Sequence, residues 1–358
     1  MPIVRTMIKE GECMKFAVLG LGRTGQAAVC YLKENGQTVI GWDRNTSKVD
    51  IINKNGIEAT GVITGHYQIP CEHSLENAVS GVQYILVFTT AEGHKSIANQ
   101  LKGLLRENQR IIVFNGNWGA TEFVHYLGNE ISAEKIIVAE TGAQIFASPL
   151  NEPGKCFLKS MKKKVTLGSF PCNAVEGLIE ELKELFPQFS AVSNVLETTL
   201  NMSNPLAHCP LDLFNLSRID SGEETLMFAS NYTSPMGVKF VEAVDRERIN
   251  LLNQLGVKAK SLLDLFNFSW DSQYDDLYVA FKSIPSYQTA KSPTNFSFRH
   301  FTEDLPFGIE PIRILAQKYH VATPNIDAMM SVYNAVLGND NLSNVPEILH
   351  FNLEKLME

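Results

Sequence analysis

The stretch that decides the fold of the first half is KFAVLGLGRTGQAAVCYLKENGQTVIGWDR, residues 15–44. It reads as an apolar strand, a glycine-rich turn, an amphipathic helix that ends at Gly36, and a second strand. That order predicts a β-α-β unit. The turn holds Gly20, Gly22 and Gly25 in the spacing G-x-G-x-x-G. This spacing serves a tight turn, a close approach of the backbone to phosphate, and close packing of the helix on the strand.

The residues around this turn indicate a dinucleotide site. Phosphates would lie at the N-terminus of the helix, where unpaired N–H groups and the dipole favour negative charge, so we expect Arg23 and Thr24 to contact the cofactor. Asp43 ends the second strand, where a carboxylate would hold the ribose 2'-hydroxyl of NAD. Arg44 follows, and a guanidinium there would meet the 2'-phosphate of NADP. Because Asp43 repels a phosphate, we expect NAD(H), with NADP(H) use left open.

Strand-like segments continue through the first half, and each is apolar throughout, as is typical of parallel strands buried on both faces. They lie at residues 84–90, 110–116 and 135–140. A further strand-like segment at 164–170, a helix at 174–186 and a joining segment at 187–193 follow. We therefore predict an α/β fold with an N-terminal Rossmann domain, a doubly wound parallel sheet. Ligands of such sheets bind beyond the carboxyl ends of the strands, which places Thr89 at the cofactor.

The second half is predicted to be mainly α-helical, because its apolar residues recur at helical spacing. Thr323 is a good N-cap and Pro324 suits a first helical position, so the last long helix is expected to begin there. Residues 258–298 are aromatic and irregular, and the pattern assigns no element to them. The predicted organisation is an N-terminal extension at 1–13, a Rossmann domain at 14–190, and a mainly helical domain at 191–358.

Composition and charge exclude several classes of function. The 358 residues are 44% hydrophobic and 20% charged, which fits a folded chain of two domains. A formal net charge of -8 and a pI near 5.6 argue against nucleic-acid partners, which need a concentrated basic face. The cysteines show no C-x-x-C spacing, so we expect no metal site and a reducing, cytoplasmic setting. No apolar run approaches the roughly 18 to 20 residues of a membrane span.

Two short segments of the second half carry candidate catalytic residues. In SNPLAHCP, residues 203–210, His208 lies between two prolines and is either a packed loop histidine or a proton donor. In RHFTEDLPFG, residues 299–308, Asp304 is either a helix cap before a proline or the partner of a catalytic group. Spacing alone does not pair two residues so far apart in the chain.

Four segments together resemble the opine dehydrogenases, the octopine and nopaline group. They are the glycine turn at 20–25, ETTLNMSNPLAHCP at 197–210, DRERINLLNQLG at 245–256, and RHFTEDLPFGIEPIRILAQKYHVATPNID at 299–327. The resemblance implies that the Rossmann domain binds NADH or NADPH and that the helical domain binds substrates. It further implies that a 2-oxo acid and an amino acid are joined by reduction of the imine between them.

The resemblance places the catalytic histidine of that family on His208 and its aspartate partner on Asp304. The chemistry makes this pairing sensible, because hydride delivery to a C=N carbon leaves the nitrogen in need of a proton, and imidazole is the usual donor. An aspartate that accepts the other ring N–H would fix the tautomer and the orientation of the ring.

Several alternatives stay open at the level of sequence. Asn204 either positions a substrate or only holds a turn before His208, and Arg299 either clamps a substrate carboxylate or pairs with Glu303. Ser148 stands near the position of an arginine in the family, which leaves the substrate open. The oligomeric state is also open, with a homodimer among the options.

Two other functions are compatible with the architecture. Glycerol-3-phosphate and ketopantoate dehydrogenases use a K-x-x-x-N segment, where this chain has Glu197 and Asn201, without the lysine. A simple 2-oxo acid reductase that uses His208 alone is one alternative. A dinucleotide-binding sensor without catalysis is the other.

Overall fold

The computed structural model describes residues 13–338 and 345–357, and the structural statements below refer to these residues. The predicted extension at 1–13 lies outside them except for Cys13. None of the described helices combines the length and the apolar character that crossing a lipid bilayer demands. A sheet-based half is followed by a helical half, as predicted, while the exact domain boundaries stay a prediction.

The strands all lie in the first half. In chain order they are β1 (Lys15–Leu19), β2 (Thr38–Trp42), β3 (Ile57–Gly61), β4 (Gly65–Tyr67), β5 (Cys71–Glu72), β6 (Tyr84–Val87), β7 (Arg110–Val113), β8 (Ile137–Thr141), β9 (Phe146–Ala147), β10 (Lys155–Leu158), β11 (Ser160–Met161), β12 (Val165–Phe170) and β13 (Phe189–Ala191).

The central sheet has the strand order β13-β12-β8-β7-β6-β1-β2-β5. From β8 to β5 all neighbours are parallel, which confirms the Rossmann prediction for this part. Strand β12, however, runs antiparallel to β8, so the sheet is mixed. A parallel neighbour requires a long crossover, usually a helix, whereas the chain between β8 and β12 forms only short strands.

The predicted joining segment at 187–193 contains a strand, which corrects the sequence interpretation. Strand β13 pairs in parallel with β12, and Phe189 lies opposite Val165. The ring of Phe189 packs on Phe114 and Phe186, with centroids 6.3 and 5.2 Å apart. The sheet therefore extends by one strand across the predicted domain boundary.

The helices flank the sheet and build the second half. In chain order they are α1 (Arg23–Glu34), α2 (Thr46–Asn55), α3 (Leu75–Val79), α4 (His94–Leu101), α5 (Gly119–Leu127), α6 (Glu130–Ala133), α7 (Val175–Leu182), α8 (Val195–Leu200), α9 (Ser203–Leu213), α10 (Leu216–Asp220), α11 (Pro235–Gln254), α12 (Leu262–Trp270), α13 (Leu277–Ser283), a π-helix (His300–Ile309), α14 (Glu310–Lys318) and α15 (Pro324–Leu337).

The unassigned region at 258–298 folds into α12, α13 and a 3₁₀ turn at Pro285–Thr289. Helix α12 begins with a capping box: Ser261 Oγ accepts a hydrogen bond from the Asp264 N–H at 3.1 Å, and the Asp264 carboxylate accepts one from the Ser261 N–H at 3.2 Å. Helix α15 begins at Pro324 with Thr323 as its N-cap residue, as predicted. The hydroxyl of Thr323 donates a hydrogen bond to the Asp327 carboxylate at 3.3 Å and does not accept one from a backbone N–H.

Helix α9 contains the whole SNPLAHCP segment, so His208 lies on a helix and not in a turn. Pro205 is tolerated because it lies in the first turn of the helix, where a backbone N–H would have no intrahelical acceptor and its absence costs nothing. The π-helix packs against α9 at close range, and Gly308 allows this approach. A Cβ on Gly308 would lie 2.3 Å from Cγ of Pro205.

The two halves share one apolar core. Val113 and Trp118 of the sheet half belong to the same buried cluster as Leu200 and Leu206 of the helical half. Burial of this kind is the main stabilising contribution to a fold, so the halves are held together by packing as well as by the covalent chain.

Candidate active site

The glycine turn after β1 has the shape of a phosphate cradle. Gly20 adopts a φ of +95°, and a Cβ there would lie 2.9 Å from Cγ2 of Thr89. A Cβ on Gly25 would lie 1.8 Å from the carbonyl oxygen of Gly20. A Cβ on Gly22, the N-cap of α1, would meet no described atom within 4 Å. The turn is therefore closed below by packing and open above Gly22, where a pyrophosphate fits at the helix N-terminus.

A cleft of about 500 Å³ opens above this turn, between the two halves of the chain. Its lining includes Gly20, Gly22, Arg23, Thr24, Asp43, Arg44, Lys48 and Thr89 from the sheet half, with Arg299 and Glu303 from the helical half. The hydroxyl of Thr89 is buried and has no hydrogen-bond partner among the described residues, so a ligand can supply one. All predicted cofactor residues except Gly25 therefore line the cleft, and Gly25 packs beneath it. The lining residues fit a dinucleotide.

Asp43 is not a free carboxylate at the edge of this cleft. Its Oδ2 accepts hydrogen bonds from the Leu21 N–H at 2.8 Å and from Lys48 Nζ at 2.7 Å, and its Oδ1 accepts one from the Asn45 N–H at 2.9 Å. The ammonium of Lys48 offsets the charge of the carboxylate, and the exposed Arg44 adds a positive group at the same edge. The repulsion of a 2'-phosphate, on which the expectation of NAD(H) depends, is therefore weakened.

The structure brings His208 and Asp304 together. Nδ1 of His208, on α9, lies 2.7 Å from Oδ2 of Asp304, on the π-helix. The other carboxylate oxygen of Asp304 lies 3.3 Å from Nη2 of Arg299. Asp304 is fully buried, whereas the His208 side chain keeps 15% of its surface exposed. The histidine is therefore anchored from within the protein and accessible on one side.

Electrostatics define the protonation state of this pair. Burial alone would raise the pKa of Asp304, but the charge of Arg299 and the hydrogen bond from His208 outweigh it and hold that pKa below its usual range. Asp304 is therefore ionised and can only accept, so Nδ1 of His208 carries a proton and Nε2 is left to exchange one. Burial, and next the charge of His300, lower the pKa of His208, against the opposing effect of Asp304.

A second histidine–aspartate pair, which sequence reasoning missed, lies directly against the first. Nδ1 of His300 lies 2.7 Å from Oδ2 of Asp212, and Oδ1 of Asp212 accepts a hydrogen bond from the Tyr232 hydroxyl at 2.6 Å. The imidazole of His300 stacks on that of His208, with ring centroids 3.9 Å apart and planes inclined by 15°. All members of this second pair are buried.

The two pairs come from two segments of equal spacing, HCPLD at 208–212 and HFTED at 300–304. Each segment places a histidine and an aspartate four residues apart, which brings them to one face of a helix. The histidine of each segment binds the aspartate of the other. The repeated H-x-x-x-D spacing is visible in the sequence, but it predicts neighbours only if 203–210 is helical.

His208, His300 and Asp304 also offer potential metal-ligand atoms within 4.8 Å of one another. Imidazole binds a metal through a lone pair in the plane of its ring. Two stacked rings inclined by only 15° direct these lone pairs along nearly parallel lines and not at one point. The arrangement therefore favours two hydrogen-bonded pairs over metal coordination.

Arg299 forms the ion pair with Glu303 that the sequence allowed, while its contact with a substrate stays a prediction. Its Nη2 is paired with Asp304, while its Nε lies 3.2 Å from Oε2 of Glu303. The side chain is 38% exposed and lines the cleft, so it remains available to a ligand. Asn204 lies one helical turn before His208 on α9 and is half-buried. Ser148 is buried.

Comparisons with known proteins match each half of the chain to a family model. Residues 191–337 match the family model described as NAD/NADP octopine/nopaline dehydrogenase, alpha-helical domain, and residues 16–171 match that of ketopantoate reductase PanE/ApbA. The opine dehydrogenase of Arthrobacter sp. (strain 1C) is 28% identical over 92% of this chain and 92% of its own length.

Solved structures show the same fold. Octopine dehydrogenase in complex with NADH and agmatine superposes with a TM-score of 0.76 at 15% identity, covering 93% of this chain and 94% of that one. Yersinopine dehydrogenase with NADP⁺ bound gives a TM-score of 0.70 at 14% identity, covering 96% and 97%. The helical half of this chain is therefore similar to that of the octopine and nopaline dehydrogenases, and the whole chain shares the fold of octopine dehydrogenase.

Proposed function

We propose that the chain is an NAD(P)H-dependent opine dehydrogenase that joins a 2-oxo acid to the amino group of an amino acid. The carbonyl and the amine form an imine with loss of water, and reduction of that C=N bond gives a secondary amine. Structures of octopine dehydrogenase hold NADH with agmatine, with L-arginine or with pyruvate, which supports this class of substrates. The observation that carries the proposal is the His208–Asp304 pair. Asp304 also binds Arg299, which lines the cofactor cleft.

The cofactor supplies a hydride to the carbon of the C=N bond. The chain would hold it through the glycine turn, with Arg23 and Thr24 at the N-terminus of α1 and the unpaired Thr89 hydroxyl beside Gly20. Gly22 allows the backbone to approach the pyrophosphate, because no side chain occupies the space above it.

His208 acts as the general acid and base of the reaction. In the direction of reduction, its Nε2 proton goes to the substrate nitrogen as the C=N bond is reduced, and neutral His208 takes a proton from that nitrogen in the reverse direction. Asp304 keeps the Nδ1–H tautomer and stabilises the imidazolium. A lowered pKa of His208 makes the imidazolium a readier proton donor, although it also reduces the share of protonated enzyme at neutral pH.

Arg299 binds the carboxylate of the 2-oxo acid. Its guanidinium is held by Asp304 and Glu303, which fixes its plane, and over a third of the side chain faces solvent in the cleft. A guanidinium is suited to a planar carboxylate because it offers parallel N–H donors. Asn204, on the same helix face as His208, is the candidate for positioning the second substrate.

The substrate proposal is tested by following NAD(P)H oxidation with pyruvate, oxaloacetate or 2-oxoglutarate, each with and without a panel of amino acids. We expect oxidation only when both substrates are present, with the secondary amine identified by mass spectrometry. Turnover without any amine would instead identify a simple 2-oxo acid reductase. Cofactor binding without turnover across the panel would identify a sensor. A homodimer stays a prediction, which analytical ultracentrifugation would test.

Lys48 is expected to determine the tolerance for NADPH. Lys48→Met removes the charge that offsets Asp43, so the carboxylate repels the 2'-phosphate again. We expect kcat/KM for NADPH to fall about tenfold relative to that for NADH, equivalent to about 1.4 kcal/mol. Lys54→Met, on the same helix and exposed, serves as the matched control. Equal losses with both cofactors would contradict this role of Lys48.

A further inference from the structure

The second histidine–aspartate pair has no role in the proposed reaction as described so far. We propose that His300, held by Asp212, is a positioning residue that keeps the ring plane of His208 fixed and sets how readily His208 releases its proton. The inference rests on the proposed function only in taking His208 as the proton donor. His300 itself touches no substrate in this assignment.

The first argument is geometric. The hydrogen bond from Nδ1 of His208 to Asp304 anchors one edge of the imidazole but leaves the ring free to rotate about that bond. The parallel ring of His300, with its centroid 3.9 Å away, blocks this rotation on one face. His300 can do so because its own Nδ1 is anchored to Asp212, which Tyr232 anchors in turn. Such a fixed orientation keeps Nε2 directed at one place, as efficient proton transfer requires.

The second argument is electrostatic. The rings of His300 and His208 stack with centroids 3.9 Å apart, so any positive charge that His300 carries opposes protonation of His208. After burial, the charge of His300 is the next cause that lowers the pKa of His208. The stacked pair therefore favours release of the proton, while Asp304 favours its retention.

The pKa of His208 depends mainly on the two histidine–aspartate pairs, because the other charged groups around α9 act on other residues. Besides His300, the groups that act on the pKa of His208 are Asp304 on the π-helix and Asp212 on α9. Arg299 acts on Asp304, and Asp212 acts on Tyr232 and, on α15, on Tyr333. On α11, Arg248 and Asp245 bind each other, with Asp245 also accepting from the N-terminus of α12. On α10, Arg218 bears on Tyr232.

The test is the pH dependence of the reductive reaction. The acid form of His208 exists below its pKa, so the rate falls as pH rises through that value. The double variant His300→Phe/Asp212→Asn keeps an aromatic ring on His208, removes the imidazole of His300 together with the carboxylate of Asp212, and leaves no unpaired buried carboxylate. Because the charge of His300 lowers the pKa of His208 more than the charge of Asp212 raises it, we expect the fall in rate to move to higher pH. We also expect kcat to fall about tenfold from loosened alignment.

Phe228→Leu is the matched control, because Phe228 also packs near His208, with centroids 6.3 Å apart, and carries no charge. It should lower kcat without moving the pH profile. If the double variant loses rate with an unshifted profile, as the control does, His300 is merely structural and the proposal is wrong.

A direct measurement separates this inference from the proposed function. Ring-nitrogen NMR of ¹⁵N-histidine-labelled full-length protein, assigned with His208→Gln, follows the titration of His208 without any substrate. We expect the titration of His208 to move to higher pH in the double variant. The same midpoint in both proteins would overturn the inference even if the enzyme proves active. A shifted midpoint in a protein without opine activity would leave the inference standing and refute the proposed function.

Discussion

His208→Gln should lower turnover by about two to four orders of magnitude, the usual cost of losing a general acid–base group. Glutamine can still donate a hydrogen bond to Asp304, so the loss would report proton transfer and not the collapse of a buried polar cluster. Binding of NAD(P)H, measured by fluorescence titration, should change less than about threefold, because the glycine turn and Thr89 are untouched.

The matched control for this prediction is His73→Gln. His73 is a half-exposed histidine whose Nε2 lies 3.1 Å from Asp50, and it does not line the cleft. It should leave turnover unchanged. Full activity in His208→Gln would exclude this residue as the acid and would leave the opine reaction without its proposed proton donor.

Gly25→Val should destabilise the fold by about 3 kcal/mol or more, an effect typical of severe overpacking. Its Cβ would lie 1.8 Å from the carbonyl oxygen of Gly20 and 2.9 Å from the carbonyl carbon of that residue. Both atoms belong to the backbone, so no side-chain rotation relieves the contact. The measurement is the free energy of unfolding from urea denaturation.

Gly22→Val is the matched variant, because its Cβ meets no described atom within 4 Å and its φ of -75° suits any residue. It should leave the free energy of unfolding within about 1 kcal/mol of the original and raise the Kd for NAD(P)H about tenfold or more. The reverse assignment, with stability lost in Gly22→Val and cofactor binding lost alone in Gly25→Val, would contradict the cradle described here.

Much of the sheet half follows from the sequence because strong local signals agree there. The strand, glycine turn and helix at 15–44 carry compatible periodicities, and buried parallel strands are recognisable as short apolar runs. Strand β13 was missed because 187–193 contains a proline and polar residues, and only the neighbouring β12 makes it a strand. The antiparallel direction of β12 depends on the path of the chain after β8, which no local pattern encodes.

The helical half was less predictable for a different reason. In α12, Leu262 and Phe266 are buried but the remaining aromatic residues lie partly exposed, which blurs the helical period. The capping box of Ser261 and Asp264 was the better signal. The pairing of His208 with Asp304 was expected only through the family resemblance, and the structure places them 2.7 Å apart. The second pair was overlooked because Pro205 and Pro210 suggested a turn where α9 is helical.

The hydrogen bond between Glu303 and the sheet half bears on how the cleft of such an enzyme opens. Oε1 of Glu303 accepts a hydrogen bond from the Ala91 N–H at 3.3 Å across the cleft, whereas His208, Asp304, His300 and Asp212 all lie on the helical side of it. If the halves rotate apart, the distance that a hydride must cross increases, while the hydrogen bonds within the two histidine–aspartate pairs stay formed. Motion in this protein would thus change the exposure of the proton donor without separating it from its partners.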